Sequence, residues 1–303
     1  MENSRLIARL QKAIDHPSKA YNYIIWKLKE KYLWDYYYKK IRGPKVKSAI
    51  PVLESESMKL KLKKEGLNVI DYKVDVADYK TYIKKAEYNK IQSYYGVGGK
   101  SNVFSEKTLE HYLAAKLMNV SSDDVYIDVA NAFSPVPEIY SSLYDCEVYS
   151  QDLIFEPGMH DRKIGGDACV MPVKDGFASK MALHCSFEHF ENDADTRFIK
   201  EANRVLKRGG KLCILPLDLS ENYFIATDPT VIPTGENPFE DDVTLCCVKG
   251  YGNRHGRFYD VNNFISRVVN YLQELKLTIY FIQNEKEVDD SCYVKFVAIF
   301  EKV

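Results

Sequence analysis

Between residues 122 and 215 the chain alternates short apolar runs with helix-period segments, and acidic or turn residues stand where the apolar runs stop. Val-Tyr-Ile-Asp-Val at 125–129 reads as a first central strand. Residues 146–150, 163–165, 180–185 and 211–216 read as the second to fifth. Strands alternating with helices in this way predict an α/β domain with a parallel, doubly wound sheet and a ligand across its carboxyl edge. A helix over 105–118 precedes the first strand, with Ser105 as its cap and Glu106 complementing its dipole. Leu109, Tyr112, Leu113, Lys116 and Leu117 make one face of it. Downstream, Asp260 caps a helix over 261–275, and 277–283 and 293–301 are the last two strands.

The first hundred residues are patterned differently. Residues 4–40 are helical, aromatic and basic, and Ile24, Ile25, Leu28, Tyr32 and Tyr36 fall roughly on one face. Such a helix either lies on a membrane surface or a partner, or packs on its own domain; the second reading is preferred. Residues 42–45 read as a linker, 67–72 as a short strand and 78–95 as a helix. Gly-Val-Gly-Gly-Lys-Ser at 96–101 ends as a phosphate-binding loop ends. Tyr94, however, stands where that loop needs its first glycine, so a flexible turn over an active site is expected. This gives a mostly helical extension and lid over 1–100 and the α/β domain over 101–303. Within the latter, 218–258 is a long insertion rich in Pro, Asp, Asn and aromatics, expected to cover a substrate.

Composition narrows the field. Hydrophobic residues make up 46% of the 303, so the chain can bury a core. A net charge of -1 argues against a nucleic-acid binder that works through a broad basic surface. The seven cysteines are scattered, with no CxxC pair and no finger-like spacing to histidine, so no metal site is expected. Several sit inside apolar runs as small hydrophobes, which suits a reducing, cytoplasmic setting. No signal-peptide core and no run long enough to span a bilayer is seen.

The chemistry-bearing residues stand at strand ends. Asp128 closes the first strand, and the small-residue turn Ala130-Asn131-Ala132 follows beneath the expected ligand. Its carboxylate could meet a ligand ammonium or order water, or simply cap the next helix. Asp152, about twenty residues on, suits bidentate hydrogen bonding to ribose hydroxyls. Gly166-Asp167-Ala168 follows the third strand, where a side chain can reach an adenine edge.

These segments resemble a class I S-adenosylmethionine-dependent methyltransferase of the small-molecule type. The resemblance rests on Gly166-Asp167-Ala168 with Pro172, then Glu188-His189, then the long run Glu201-Ala202-Asn203-Arg204-Val205-Leu206-Lys207-Arg208-Gly209-Gly210-Lys211. It covers about 109–215. It implies a Rossmann-like, mostly parallel seven-stranded sheet with an antiparallel last strand, plus the helical N-terminal extension. It also implies S-adenosylmethionine as cofactor. Asp128, Ala130 and Asn131 would lie by its methionine moiety and Asp152 on its ribose. Leu153, Asp167 and Ala168 would meet its adenine, and His184, Cys185 and Ser186 would lie near its sulfonium. One departure stands out. The family's first loop reads Asp-x-Gly-x-Gly, whereas here alanines occupy both glycine positions; Asn131 tolerates unusual backbone angles.

Methyl transfer is an in-line displacement, so alignment and desolvation of the nucleophile dominate. For a hydroxyl acceptor, His189 is the first candidate base, with Glu188 and His184 next; the alternative for His189 is a helix-start cap. His255, in the polar loop 252–257, is a weaker candidate for contacting the acceptor, and Cys185 is not expected to be a covalent nucleophile. The acceptor is expected to be a small molecule or a sugar, since lid aromatics and polar groups suit a sugar, and not a nucleic acid. Two rivals remain. One is a catalytically degenerate binding module on the same fold, favoured by the glycine-poor loop. The other, a nicotinamide-dependent oxidoreductase, would need the Gly-x-Gly-x-x-Gly turn that the chain lacks.

Overall fold

The computed structural model describes residues 17–41, 46–88, 103–132, 134–233 and 235–303, with the side chains of 17–20 left aside; the glycine-rich 96–101 stretch lies outside them. The elements in chain order are α1 (Pro17–Tyr32), α2 (Trp34–Ile41), β1 (Val46–Lys47), α3 (Ser55–Lys64), β2 (Val69–Tyr72), α4 (Val76–Ala86) and α5 (Phe104–Met118). Next come β3 (Val125–Val129), α6 (Val136–Tyr144), β4 (Glu147–Asp152), β5 (Gly158–His160), β6 (Lys163–Gly165), β7 (Ala178–His184), α7 (Ala194–Val205) and β8 (Leu206–Leu215). The chain ends with β9 (Phe224–Thr227), β10 (Thr244–Cys247), β11 (Gly256–Phe258), α8 (Val261–Arg267), β12 (Leu275–Ile282), α9 (Glu285–Val288) and β13 (Phe296–Lys302). Contacts divide it into two units, residues 1–52 with 224–257 and residues 53–223 with 258–303.

The larger unit is built on a nine-stranded sheet in the order β2-β12-β13-β8-β7-β3-β4-β6-β5. The seven strands expected from the sequence stand in its middle as third, second, first, fourth, fifth, seventh, sixth. The five central ones are parallel, and β13 runs antiparallel to both β8 and β12. The two extra strands are edges: β2 beside β12, and β5 folded back on β6. Side chains alternate across the central strands, as a sheet covered on both faces requires. Ile127, Met181, Leu183, Leu212 and Ile214 enter one buried cluster, and Tyr126, Ala182, Cys213 and Leu215 enter the other.

Three local expectations are corrected. First, Ser105 is not the cap of α5: the N-cap is Val103, with no side-chain cap bond. This helix has no single apolar face either, because Glu106, Thr108, Glu110 and His111 are buried along with its leucines and alanines. Second, β8 begins five residues before the expected start, at Leu206, and carries Gly209 and Gly210 inside it. Gly209 takes φ +73°, and a Cβ on Gly210 would lie 2.7 Å from the Lys207 carbonyl oxygen. The glycines therefore permit a strand where a side chain would break it. Third, the helix from Val261 ends at Arg267 and is followed by a short 3-10 turn, Val269–Tyr271. Asp260 caps it as expected, accepting from the Asn263 N–H at 2.8 Å.

The smaller unit holds a four-stranded sheet in the order β1-β10-β9-β11. β1 and β9 both run parallel to β10. The insertion expected as a long loop thus contributes strands. Its first strand partner, β1, lies some two hundred residues earlier (Val46 opposite Leu245), so local pattern could not reveal the pairing. Trp26 anchors α1 in this unit, its indole Nε1 donating to Asp228 Oδ2 at 3.1 Å. Arg257 is fully buried and ion-paired with Glu240.

Candidate active site

The order of strands reverses between β3 and β7, and a doubly wound sheet opens its ligand crevice at such a switch point. A cavity of about 210 Å³ lies there, lined by Asp128 to Ala132 and Ser134 after β3, by His184 and Cys185 after β7, and by Lys107 and His111 from α5.

The loop after β3 takes a left-handed path at two residues. Ala130 sits at φ 52° and Ala132 at φ 45°, both left-handed. Each alanine there costs on the order of 1 kcal/mol relative to an ordinary backbone. It is these two alanines, and not Asn131, that carry the unusual angles. Hydrogen bonds hold the strained path in place. The Ala130 N–H donates to Gln151 Oε1 at 3.2 Å, the Asn131 N–H to the Gln151 carbonyl at 2.9 Å, and the Ala132 N–H to Asp152 Oδ2 at 2.7 Å. Cys185, across the cavity, is a third left-handed residue at φ 47°. Such backbone outliers cluster at functional sites because surrounding structure must enforce them.

Asp128 is buried and internally partnered. Tyr126 Oη donates to its Oδ1 at 3.0 Å and Asn131 Nδ2 to its Oδ2 at 2.6 Å. Burial pushes its pKa up to about 7, only partly opposed by those donors. His184 Nε2 lies 3.6 Å from Asp128 Oδ1, yet burial drives the imidazole down to about 3. It is therefore neutral at physiological pH and puts no positive charge into the cavity wall.

Helix α5 supplies groups that pattern reading missed. Lys107 Nζ lies 3.3 Å from both oxygens of Glu110, and Cys185 Sγ donates to Glu110 Oε1 at 3.0 Å. Burial raises Glu110 to about 7 although Lys107 and Cys185 pull it down. Burial also disfavours the Lys107 ammonium, but Glu110, Cys185 and Glu188 together outweigh that and hold its acidity above the ordinary value. Cys185 itself is pushed well up by burial and by Glu110, far from a thiolate nucleophile. The one signal available in sequence was the acidic pair Glu106 and Glu110, spaced four apart and so on one face of the helix.

The structure thus gathers Asp128, Ala130, Asn131, His184 and Cys185 around one cavity and ties Asp152 to it through Ala132. Asp152 also accepts from the Ile154 N–H at 3.0 Å. Beyond that carboxylate, Leu153 is 75% exposed. Asp167 accepts from the Cys169 N–H at 2.9 Å and pairs with Arg197 at 3.2 Å, while Ala168 is buried. Ser186 is buried next to Cys185, its Oγ without a partner. Glu188 and His189 lie in the 3-10 turn Phe187–His189 beyond β7, with His189 Nε2 3.5 Å from Glu188 Oε1. His255 is buried in the smaller unit.

Residues 141–214 match the family model of a methyltransferase domain. The matched stretch runs from within α6 into β8, across the strands that flank the switch point, and is similar there to a methyltransferase domain. No curated protein matches the chain. Among solved structures it is similar to a protein of Pyrococcus horikoshii OT3, with 18% identity over 72% of this chain and 99% of that one and a TM-score of 0.45. It is also similar to the 1,6-didemethyltoxoflavin-N1-methyltransferase of Burkholderia thailandensis, solved with bound S-adenosylhomocysteine, with 9% identity over 76% and 91% of the chains and a TM-score of 0.42. A third is the geranyl diphosphate C-methyltransferase of Streptomyces coelicolor A3(2), with 10% identity over 65% and 79% of the chains and a TM-score of 0.40.

Proposed function

We propose that the chain transfers a methyl group from S-adenosylmethionine to a hydroxyl of a small molecule or sugar. The observation that carries this reading is the left-handed path of Ala130 and Ala132 between two strand-end carboxylates, Asp128 and Asp152, at the switch point. The left-handed angles of the two alanines, which glycine adopts without strain, support reading this turn as one that would accept the cofactor. Bound there, S-adenosylmethionine would supply an already activated methyl group on sulfur.

The residues fit that group. Asp128 would meet the methionine ammonium, and Lys107, which lines the same cavity, its carboxylate. We assign Asp152 to the ribose hydroxyls, and Leu153, Asp167 and Ala168 to the adenine. Neutral His184, with Cys185 and Ser186, lines the sulfonium side without adding repulsion. On the acceptor side, the Glu188–His189 pair is the proposed base: the carboxylate orients an imidazole that can take a hydroxyl proton. His184 is the second candidate by position. The free state of all seven cysteines suits the reducing, cytoplasmic setting we assign.

Calorimetric titration with S-adenosylmethionine and S-adenosylhomocysteine tests the reading. Micromolar binding of both is expected, and binding of neither by folded protein would overturn it. Asp152→Ala is expected to weaken binding by about 1–3 kcal/mol, because a buried charged acceptor is lost. His189→Ala is expected to lower turnover in an acceptor screen while leaving cofactor affinity nearly intact. Binding without transfer to any sugar or small-molecule hydroxyl would favour the degenerate binding module.

A further inference from the structure

Helix α1 is mounted with its apolar face outward. At 100° per residue, Tyr21, Ile24, Ile25, Leu28 and Tyr32 form one stripe, and Trp26 and Glu30 lie opposite. The opposite side is the attached one. Trp26 donates to Asp228 at 3.1 Å, and Gly250 and Gly252 approach Glu30 and Trp26 so closely that an added Cβ would lie 3.6 and 3.4 Å away. The stripe stays uncovered, with Tyr21 64%, Ile24 56%, Leu28 48% and Tyr32 68% exposed. Leu33 and Tyr36 extend the exposed apolar surface toward α2.

Charge says what covers it. Lysines flank the stripe on both sides: Lys27 and Lys31 on one, Lys29 on the other. Lys39 and Lys40 follow in the last turn of α2. Residues 17–41 hold six lysines against Glu30 and Asp35, in a chain whose net charge is -1. Those residues therefore carry a net charge of +4 and the rest of the protein -5, so the segment beside the apolar stripe is basic where the remainder is slightly acidic. Tyrosine and tryptophan, with apolar bodies and polar tips, suit the headgroup boundary of a bilayer. Among the described residues no helix is long and apolar enough to cross a membrane.

We propose that α1 and the start of α2 form a docking surface for an anionic lipid bilayer, lying in its interface with the lysines at headgroup level. A convex stripe with cations on both flanks matches a flat anionic surface, where every lysine can reach a phosphate while the apolar residues enter the acyl boundary.

Sedimentation of the full chain with phosphatidylcholine vesicles, with and without phosphatidylglycerol, tests this. Binding is expected to the anionic vesicles alone and to fall as salt is raised. Ile24→Glu with Leu28→Glu, and separately Lys27→Glu with Lys31→Glu, are each expected to weaken it by about tenfold or more. All four side chains are solvent-facing or partly so, and circular dichroism with a thermal melt verifies that the variants fold. Absence of binding at low salt, or equal binding by both variants, would overturn the proposal. So would a wild-type dimer that both variants dissolve without any vesicle binding, since the stripe would then be covered by a second copy.

Discussion

Helices α1 and α5 invert the usual arrangement in opposite directions. Helix α5 draws Glu106, Glu110 and His111 into the interior beside the cavity, whereas α1 turns tyrosines, isoleucine and leucine to the outside. Ordinary amphipathic packing would do neither. A buried charge in α5 survives only because partners offset its desolvation: Lys107 and Cys185 on Glu110, backbone amides of Tyr293 and Val294 on Glu106. Among the described residues, the apolar face of α1 has no such compensation. The comparison teaches that a break in hydrophobic pattern points to function from two sides, toward chemistry where polar groups go in and toward contact where apolar groups come out.

The largest expected effect breaks the α5 side. Glu110→Leu leaves Lys107 beside the cavity without its carboxylate and should destabilise the fold by about 3 kcal/mol, measured by urea unfolding. Pairing it with Lys107→Met should recover most of the loss; if it does not, Glu110 acts through packing alone.

A second effect is a pH slope. A buried acid raised in the folded state binds its proton more tightly there than in the unfolded chain. Its protonated form is tolerated at low pH, and stability is lost as pH climbs from the unfolded value toward the folded one. Asp128 and Glu110, both near 7, and Glu106, pushed up to about 8 chiefly by burial, put that loss between about pH 4 and 8. The apo protein should therefore be less stable at about pH 8 than at about pH 5. Asp128→Asn should flatten the slope by roughly 2–3 kcal/mol. An unchanged slope would show that Asp128 ionises normally.

Smaller effects sharpen the comparison. Ala130→Gly or Ala132→Gly relieves a left-handed alanine and should stabilise the fold by about 0.5–1 kcal/mol in thermal melts, less the extra freedom of glycine in the unfolded chain. A loss instead would mean that the methyl group is packed to advantage. Smallest of all, the Ile24→Glu and Leu28→Glu pair should shift stability by no more than about 0.5 kcal/mol, since Ile24 and Leu28 are 56% and 48% exposed. A large loss would place the stripe in the core after all.

The central sheet was legible because each strand carries its own signal. Asp128 and Asp152 stand at strand ends, and β3, β7 and the last two strands appeared near their expected places. The carboxylates around the cavity follow from strand position alone. What stayed hidden depended on distant partners or on backbone angles. Strand β1 makes sense only opposite β10, and edge strand β5 is short, whereas edge strand β2 appeared within the expected 67–72. Nothing in the helix pattern marks Lys107 and Glu110; tertiary packing brings them to the cavity. The left-handed alanines were illegible because no propensity predicts them; hydrogen bonds from Gln151 and Asp152 impose the path.

The smaller unit is assembled from two stretches, 1–52 and 224–257, with most of the larger unit's sequence between them. This arrangement sets a timetable for synthesis. Helix α1 leaves the ribosome first, while Asp228, which receives its indole, comes some two hundred residues later. At translation rates of about 5–20 residues per second, that interval lasts on the order of ten seconds or more. Throughout it, the aromatic, basic segment is already outside with its anchor still unmade, so a nearby bilayer could be its earliest companion during birth.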